Sequence, residues 1–473
     1  MSDAPVFVVV GNVNQGKSSI VATLSEDPTI PIAARPGTTQ RSGAYAFGTE
    51  DRILFRLIDT PGFQEARAAL AWMSERSFSA MDHPEVVASF IRDHQAGPRF
   101  QDEVRLLQPI LDGASVLYVV DASGPPQPSN EAEMEILRWT GRPGMALINQ
   151  TGQRDHSEAW RPYLEQFFNV VRRFDAQGAD FEDRMALLRG FREVREDWTE
   201  ALDEAIGVMG RERRHRRDRA ASVVAEFVVR ALSHVERRRL GDDDDPAALR
   251  AELEQSYLER LRCAEAEARA DIEKVYRHRR VTREASELAL HEADLFSDAS
   301  WRAFGLTRTQ LAQYGAAWGG AIGAAVDMMV GGLSFFIGAA VGAATGGLTG
   351  FLGGTKVART WGSKSKLARS VFPGETGRYL AMGPATSPRF AWMLLDRALV
   401  HHASVCDRAH ARRDALTIPD LDAEPEGVAA TLEGGLRSAI DRELQRVLKL
   451  SLRGRSAAEP ERRLRDLLTE AMG

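Results

Sequence analysis

Residues 5–24 read PVFVVVGNVNQGKSSIVATL, which is an apolar strand, a loop bounded by glycines and the start of a helix. Residues 11–18 match the pattern G-x-x-x-x-G-K-[ST], whose loop amides wrap phosphate oxygens at a helix N-terminus. In that pattern Lys17 reaches the β- and γ-phosphates and the Ser18 hydroxyl binds Mg²⁺. A chance match is disfavoured because strand, loop and helix follow in the required order. The nucleotide contacts predicted for this loop come from Asn12, Val13, Asn14, Gln15, Gly16, Lys17, Ser18 and Ser19.

A second phosphate motif ends the strand RILFRLIDTPGF, residues 52–63. Asp59 is placed to hold the Mg²⁺ shell, and the amide of Gly62 is placed to sense the γ-phosphate. The phosphate loop alone also occurs in ATPases and kinases. Among these classes of protein, the second motif favours a nucleotide switch.

The polar stretch ARPGTTQRSG, residues 34–43, lies between the two motifs. Thr39, or less favourably Thr38, is expected to close over Mg²⁺ when a third phosphate is present. A plain surface loop is the alternative for this stretch alone, but its position favours the switch. Lys17, Thr39 and Gly62 are therefore the predicted catalytic groups.

Further strands alternate with helices up to about residue 190. ASVLYVVDAS (114–123), MALINQ (145–150) and FNVVRRFDA (168–176) are predicted strands, and capped helices lie between them. This alternation predicts an α/β domain with a mostly parallel, doubly wound sheet, whose strand ends carry the site.

The phosphate loop, PGTT and DTPG resemble the Era-like GTPases, including their potassium-activated tRNA-modification branch. The resemblance implies binding of GTP and GDP with Mg²⁺. It also implies that Asn14 coordinates K⁺ beside the phosphates, offsetting charge that an arginine finger offsets elsewhere. A turn residue is the alternative for Asn14.

The residue after DTPG is a phenylalanine, where Ras-like proteins place a water-orienting glutamine. The ring of Phe63 cannot hydrogen-bond water, and Gln64 is one step away. Slow hydrolysis is therefore expected unless a partner, K⁺ or a second copy meeting through the G domain completes the site. A nucleotide-binding module with little hydrolysis is the alternative.

The base-reading position departs from the family pattern Asn-Lys-x-Asp, because the chain reads Asn149-Gln150-Thr151-Gly152. The missing Asp matters most, since a carboxylate accepts from guanine N1 and N2 and rejects adenine. An ATPase is therefore an alternative.

Two carboxylates are candidates to replace that Asp. Asp155 lies three residues past the expected place, and Asp175 lies in RRFDA, where relatives have Ser-Ala-Lys. Ala176 then aligns with the alanine whose amide contacts guanine O6. A helix cap at Asp155 and a turn at Asp175 are the ordinary alternatives.

The rest of the chain is predicted to be α-helical. Residues 191–290 read as long charged helices resembling a stalk, residues 291–420 as a helical domain, and residues 421–473 as amphipathic helices. The basic run GRERRHRRDR (210–219) is interpreted as a solvated face. Nucleic acid is not an expected partner, because the net charge is −6.

Residues 315–354 hold one charge, Asp327, and glycines recur every four residues through much of the run. That spacing is typical of a Gly-zipper helical hairpin, and each half approaches the length of a membrane span. Basic residues on both flanks place both ends on the cytoplasmic side. The expected partner is inner-membrane lipid or a membrane protein. The structural alternative is a soluble Gly/Ala hairpin. The functional alternative is a membrane-remodelling scaffold with nucleotide-gated assembly.

This half also resembles a family of bacterial C-terminal domains of unknown function, of the three-four-eight-two type. The resemblance rests on DLFSDASWRAFGLTRTQLA (294–312), the glycine-rich run and residues 390–414. Members share Asn-x-x-Gly and RFDA at the base-reading positions, but the family implies no substrate or partner.

Two smaller features set the cellular context. Two cysteines and a start without a signal peptide predict a cytoplasmic protein, with inner-membrane attachment through residues 315–354. His402, Cys406 and His410 share a helix face at metal-ligand spacing, but a packed face is the favoured interpretation.

Overall fold

The computed structural model describes residues 4–12, 15–25, 43–48, 53–150, 152, 154–278, 283–284, 358–362, 378–409, 416–417 and 428–473. The chain divides into two compact units. The first is Met1–Arg214 with Arg277–Arg279 and Asp407–Asp414, and the second is His215–Tyr276, Arg280–Cys406 and Ala415–Gly473.

A six-stranded sheet organises the first unit, in the order β2-β3-β1-β4-β5-β6. Only β2 is antiparallel to its neighbour; the other pairs are parallel. The central strands β1 and β4 are almost wholly buried, as parallel strands covered on both faces should be. The strands are β1 Val6–Val10, β2 Gly43–Gly48, β3 Ile53–Asp59, β4 Ser115–Asp121, β5 Gly144–Asn149 and β6 Val170–Arg173.

Helices cover both faces of this sheet and form two separate apolar cores. One core takes its helical residues from α2 to α6, and the other takes them from α1, α7 and the start of α8. The predicted doubly wound α/β domain is confirmed. The helices are α1 Lys17–Ser25, α2 Ala66–Ser74, α3 His83–His94, α4 Gln101–Leu111, α5 Pro128–Trp139, α6 Ser157–Leu164, α7 Phe181–Val194 and α8 Thr199–Ser233, with a 3₁₀ turn at Glu196–Trp198.

The second unit is mainly helical, with a core shared by α8, α9, α10, α12 and α13. A two-residue parallel pair joins β8 to β11. The elements are β7 Glu236–Leu240, α9 Pro246–Val275, β8 Arg283–Glu284, β9 Ala358–Gly362, β10 Arg378–Met382, α10 Pro388–Cys406, β11 Leu416–Thr417, α11 Val428–Thr431, α12 Gly434–Ser451 and α13 Ala458–Ala471.

The prediction of an all-α second region needs a correction, because β7, β10 and β9 form an antiparallel sheet. The strand Glu236–Leu240 reads ERRRL, which carries no alternation of apolar and polar residues. Its partner strand lies about 140 residues further along the chain, so pairing rather than local pattern selects the extended form.

The predicted Gly-zipper hairpin of residues 315–354 lies outside the described residues. Among the helices that the structure does describe, none combines the length and apolar character needed to cross a bilayer. The bounds of the four predicted segments also stay predictions.

Candidate functional site

The phosphate loop begins where β1 ends, at Gly11. Its φ is +148°, and a Cβ there would lie 2.2 Å from the carbonyl oxygen of Val119 on β4. Only glycine fits this conformation and this approach. Further along, the amide of Asn12 donates to the Gln15 Oε1 at 2.7 Å, which closes the loop on itself.

Lys17, the first residue of α1, folds back over the loop. Its Nζ donates to the carbonyl oxygens of Gly11 at 3.1 Å and Asn12 at 2.8 Å. Burial lowers the pKa of Lys17, while the nearby charges of Asp59 and Glu133 oppose that change. The ammonium group is therefore aligned along the loop whose amides would face phosphate.

The predicted Mg²⁺ ligands Ser18 and Asp59 lie together, with the Ser18 Oγ donating to the Asp59 Oδ2 at 2.7 Å. Asp59 ends β3 beside Val9 of β1, and the Thr60 hydroxyl fixes this edge by donating to the Val9 carbonyl oxygen at 2.8 Å. A hydroxyl and a carboxylate are hard oxygen donors, the type that Mg²⁺ prefers, so the pair fits this ion.

The base-reading Asn149 lies buried at the end of β5 and joins two loops. Its Nδ2 donates to the Gln15 carbonyl oxygen at 3.0 Å, and its Oδ1 accepts from the Ala176 amide at 3.2 Å. The Ala176 carbonyl oxygen accepts from the Thr23 hydroxyl on α1 at 2.7 Å. The structure thus brings the phosphate loop, NQTG and RFDA together around one carboxamide.

Gly152, at the position of the missing Asp, is packed against Ser123. A Cβ at residue 152 would lie 2.9 Å from the Ser123 Cβ, closer than real side chains approach. Ser123 is itself fixed, because its Oγ and its amide both donate to Asp121. The position is therefore closed to an aspartate unless Ser123 moves.

The two candidate carboxylates both make local contacts. Asp155 accepts from the Ser157 amide at 2.9 Å and pairs with Arg173 at 2.8 Å. The Ser157 side chain and amide, with a smaller contribution from Arg173, lower the pKa of Asp155 to about 2. Asp175 accepts from the Gln177 amide at 2.9 Å. Asp155 therefore serves at a helix entry and Asp175 in a turn. Both carboxylates are also exposed, so a nucleotide base could contact either.

Phe63, the residue after DTPG, is 3% exposed and packs into the core with α2. Its ring is therefore withdrawn from solvent as well as unable to hydrogen-bond water. The exposed Gln64 donates from its Nε2 to the Gly62 carbonyl oxygen at 3.3 Å.

Two buried acids near this site were not singled out in the sequence. Glu103 of α4 contacts the segment after DTPG. Glu133 of α5 accepts from the Tyr118 hydroxyl at 2.8 Å, and burial raises its pKa to about 7. The sequence could have indicated that Glu133 is buried, because it lies on the apolar face of α5 with Met134 and Leu137, which are buried too.

Several predicted site residues lie outside the described part of the chain: Val13, Asn14, Thr38 and Thr39. His410 does as well, while His402 is bound to the Tyr276 hydroxyl at 2.8 Å. No metal-ligating group of three His, Cys, Asp or Glu occurs within the described ranges. The packed-face interpretation of His402 and Cys406 is consistent with these contacts.

The sheet order, the glycine-bounded loop with Lys17 and the Ser18–Asp59 pair define a P-loop GTPase domain. Residues 6–149 match the family described as "50S ribosome-binding GTPase". Residues 161–472, more than half of the chain, match "Domain of unknown function (DUF3482)", and the protein belongs to this family. Both resemblances drawn from the sequence are confirmed.

Individual proteins are similar to part of this chain. The probable GTP-binding protein EngB of Acidobacterium capsulatum is 28% identical over 150 residues, 31% of this chain and 60% of that protein. GTPase Der of Nitrosomonas europaea is 30% identical over 136 residues, 28% of this chain and 29% of Der. Era of Aquifex aeolicus, crystallised with GDP and aluminium fluoride, covers 57% of this chain and 89% of its own, at 15% identity and a TM-score of 0.28. The chain spans less than two thirds of the length of these two curated relatives.

Proposed function

We propose that this protein binds GTP with Mg²⁺ and hydrolyses it to GDP and phosphate. The observation that carries the proposal is the joint placement of Lys17 over the loop and of Ser18 against Asp59. Lys17 and the loop amides would hold the phosphates, and Ser18 and Asp59 would hold the metal ion, which supplies charge neutralisation. Thr39 would join them in the triphosphate state.

Guanine recognition in this proposal runs through Asn149 and one exposed carboxylate. The Asn149 carboxamide fixes the distance between the phosphate loop and Ala176, whose amide would face guanine O6. Asp175 precedes Ala176, and Asp155 is kept ionised by Ser157 and, to a lesser extent, by Arg173. Either carboxylate would supply the acceptor for guanine N1 and N2 that Gly152 cannot supply.

Hydrolysis is expected to be slow in the isolated chain. The buried ring of Phe63 supports this, because it leaves the usual water-orienting position without a polar group. K⁺ at Asn14, or a second copy across the G domain, would complete the site. The output would be a movement in the helical second half, at a membrane if residues 315–354 insert there.

The direct test is single-turnover hydrolysis of GTP by the purified chain with Mg²⁺ in KCl and in NaCl. We expect slow release of phosphate, faster in KCl, and loss of at least tenfold in rate for Lys17→Ala. The matched control is Lys274→Ala, an exposed lysine of the second unit. Turnover that survives Lys17→Ala would contradict the proposed site.

A further inference from the structure

One buried carboxylate of α4 holds the backbone that follows DTPG. The Glu103 Oε1 accepts from the amide of Gln64 at 2.8 Å and from the amide of Glu65 at 2.7 Å. Glu103 is 1% exposed. Bonds from amides to a carboxylate are charge-assisted, and the loss of one would strand a buried charge. The contact is therefore a strong constraint on residues 64 and 65.

The first turn of α2 does not supply this contact itself. The residue before α2 is Glu65, whose side chain makes no capping bond. The residue that could reach back to its amide is at the third helical position, which is Ala68. Glu103 thus accepts, from another helix, the amide bond that a glutamate at the third position of a helix accepts in a capping box.

The route of the chain explains how Glu103 arrives there. Three helices, α2 to α4, connect β3 to β4, where a parallel crossover needs only one. Arg99, just before α4, also pairs with the Glu65 side chain at 2.9 Å, but both side chains are about half exposed. Such a pair contributes little, so the constraint rests on Glu103.

We propose, resting on the GTP hydrolysis proposed above, that Glu103 is a positioning residue for Gln64. By fixing the amides of residues 64 and 65, it holds the Gln64 carboxamide beside Gly62, whose amide is the predicted γ-phosphate sensor. Gln64 then takes the water-orienting place that Phe63 leaves empty of polar groups. A cap that only stabilises α2 would affect folding, whereas a positioning residue affects the chemical step through Gln64.

A double-mutant cycle separates these two roles. Glu103→Ala, Gln64→Ala and the double variant are compared in single-turnover GTP hydrolysis, with GDP affinity measured in parallel. We expect Glu103→Ala to slow the chemical step about ten- to hundredfold, because small misplacements of a water-orienting group are costly. GDP affinity should stay within about twofold, and Gln64→Ala should add little in the Glu103→Ala background.

Two further variants keep the test decisive. Glu103→Gln keeps an acceptor oxygen and should recover most of the rate, even if Glu103→Ala folds poorly. Asp102→Ala removes a neighbouring acid of the same helical turn, which pairs with Arg105, and should leave the rate unchanged.

Three results would overturn the inference. They are an unchanged rate in Glu103→Ala, losses for Glu103→Ala and Gln64→Ala that multiply, or a Glu103→Gln variant as slow as Gln64→Ala. A wild-type chain that binds GTP without turning it over would instead overturn the proposed function, and the positioning role with it.

Discussion

The carboxamide of Asn149 joins three stretches of the chain that are more than 25 residues apart. Because it donates to Gln15 and accepts from Ala176, the base-reading loop and the phosphate loop have a fixed spacing. Gly152 fits the same arrangement through its close packing on Ser123. The absence of the family aspartate is thus matched by a neighbour that occupies its space.

Restoring the aspartate tests this packing. Gly152→Asp alone should destabilise the G domain by about 1–3 kcal/mol, since the added Cβ meets Ser123. The pair Gly152→Asp with Ser123→Gly should regain that stability and raise the preference for GTP over ATP. Urea unfolding and nucleotide competition measure the two effects, with Ser123→Gly as the control. A stable single variant would contradict the steric account.

The buried Glu133 predicts a pH dependence of stability. Its pKa is raised from the ordinary 4.5 to about 7, chiefly by burial. Between these values the folded chain keeps a proton that the unfolded chain releases, so the free energy of unfolding falls as pH rises and levels off above about 7.

Glu133→Gln lacks this pH-dependent contribution. Between pH 5 and pH 8 the free energy of unfolding of the wild type should therefore fall by up to about 3 kcal/mol more than that of the variant. The measurement is urea unfolding of both proteins at the two pH values. Glu131→Gln, on the exposed face of α5, is the matched control. Equal pH slopes in wild type and Glu133→Gln would refute the assignment.

At this scale the sequence predicted positions better than contacts. Lys17 and Ser18 could be placed at the start of a helix, and Asp59 and Asn149 at the ends of strands, because motif spacing and apolar runs mark these positions in the sequence. Glu103 could not be found, because it lies in the ordinary first turn of an amphipathic helix, and only the tertiary fold brings it to residue 64.

Among the elements, α9 and α10 pack through charged as well as apolar side chains. Glu265 contacts Arg269 on its own helix and Arg397 on α10, and all three side chains are about 10% exposed. Charges removed from water in this way are costly to disturb, because a remaining partner stays buried.

Removal of Glu265 should therefore cost far more than removal of an exposed partner on the same helix. Glu265→Ala is expected to lower the free energy of unfolding by about 3 kcal/mol. Asp271→Ala, which breaks the exposed pair with Lys274, should cost less than about 1 kcal/mol. Thermal or urea unfolding checks the difference, and equal costs would contradict the buried role of Glu265.

The elements also show where local pattern fails. The buried strands β1, β4 and β5 were predictable because each is an apolar run between turn signals. The strand at Glu236–Leu240 was not, because four of its five residues are charged and its partner is distant in sequence. Long-range pairing decided its conformation.

For the whole molecule, the sequence predicted a G domain followed by three helical segments, and this division stays a prediction. The structure divides the chain into two compact units. What the helical region does stays a prediction, because its most distinctive segment, residues 315–354, lies outside the described residues. Membrane insertion of this segment stays a proposal, drawn from its single charge and its regularly spaced glycines.

Membrane association has a direct test with the full chain. The protein should float with vesicles of phosphatidylethanolamine and phosphatidylglycerol, and an added second charge, Gly342→Asp, should reduce the floated fraction. Gly210→Asp, in α8, is the control with the same chemical change. A chain that stays with the aqueous fraction in every nucleotide state would contradict membrane association.

The central claim is that this chain reads guanine without the usual aspartate. The measurement that tests it most directly is competition against a fluorescent GTP analogue by GTP, GDP and ATP, in Mg²⁺ and KCl. The account predicts that GTP and GDP displace the probe while ATP does not, and that Asp155→Ala or Asp175→Ala weakens this preference. Equal displacement by ATP would contradict it and leave only the phosphate and metal half of the site.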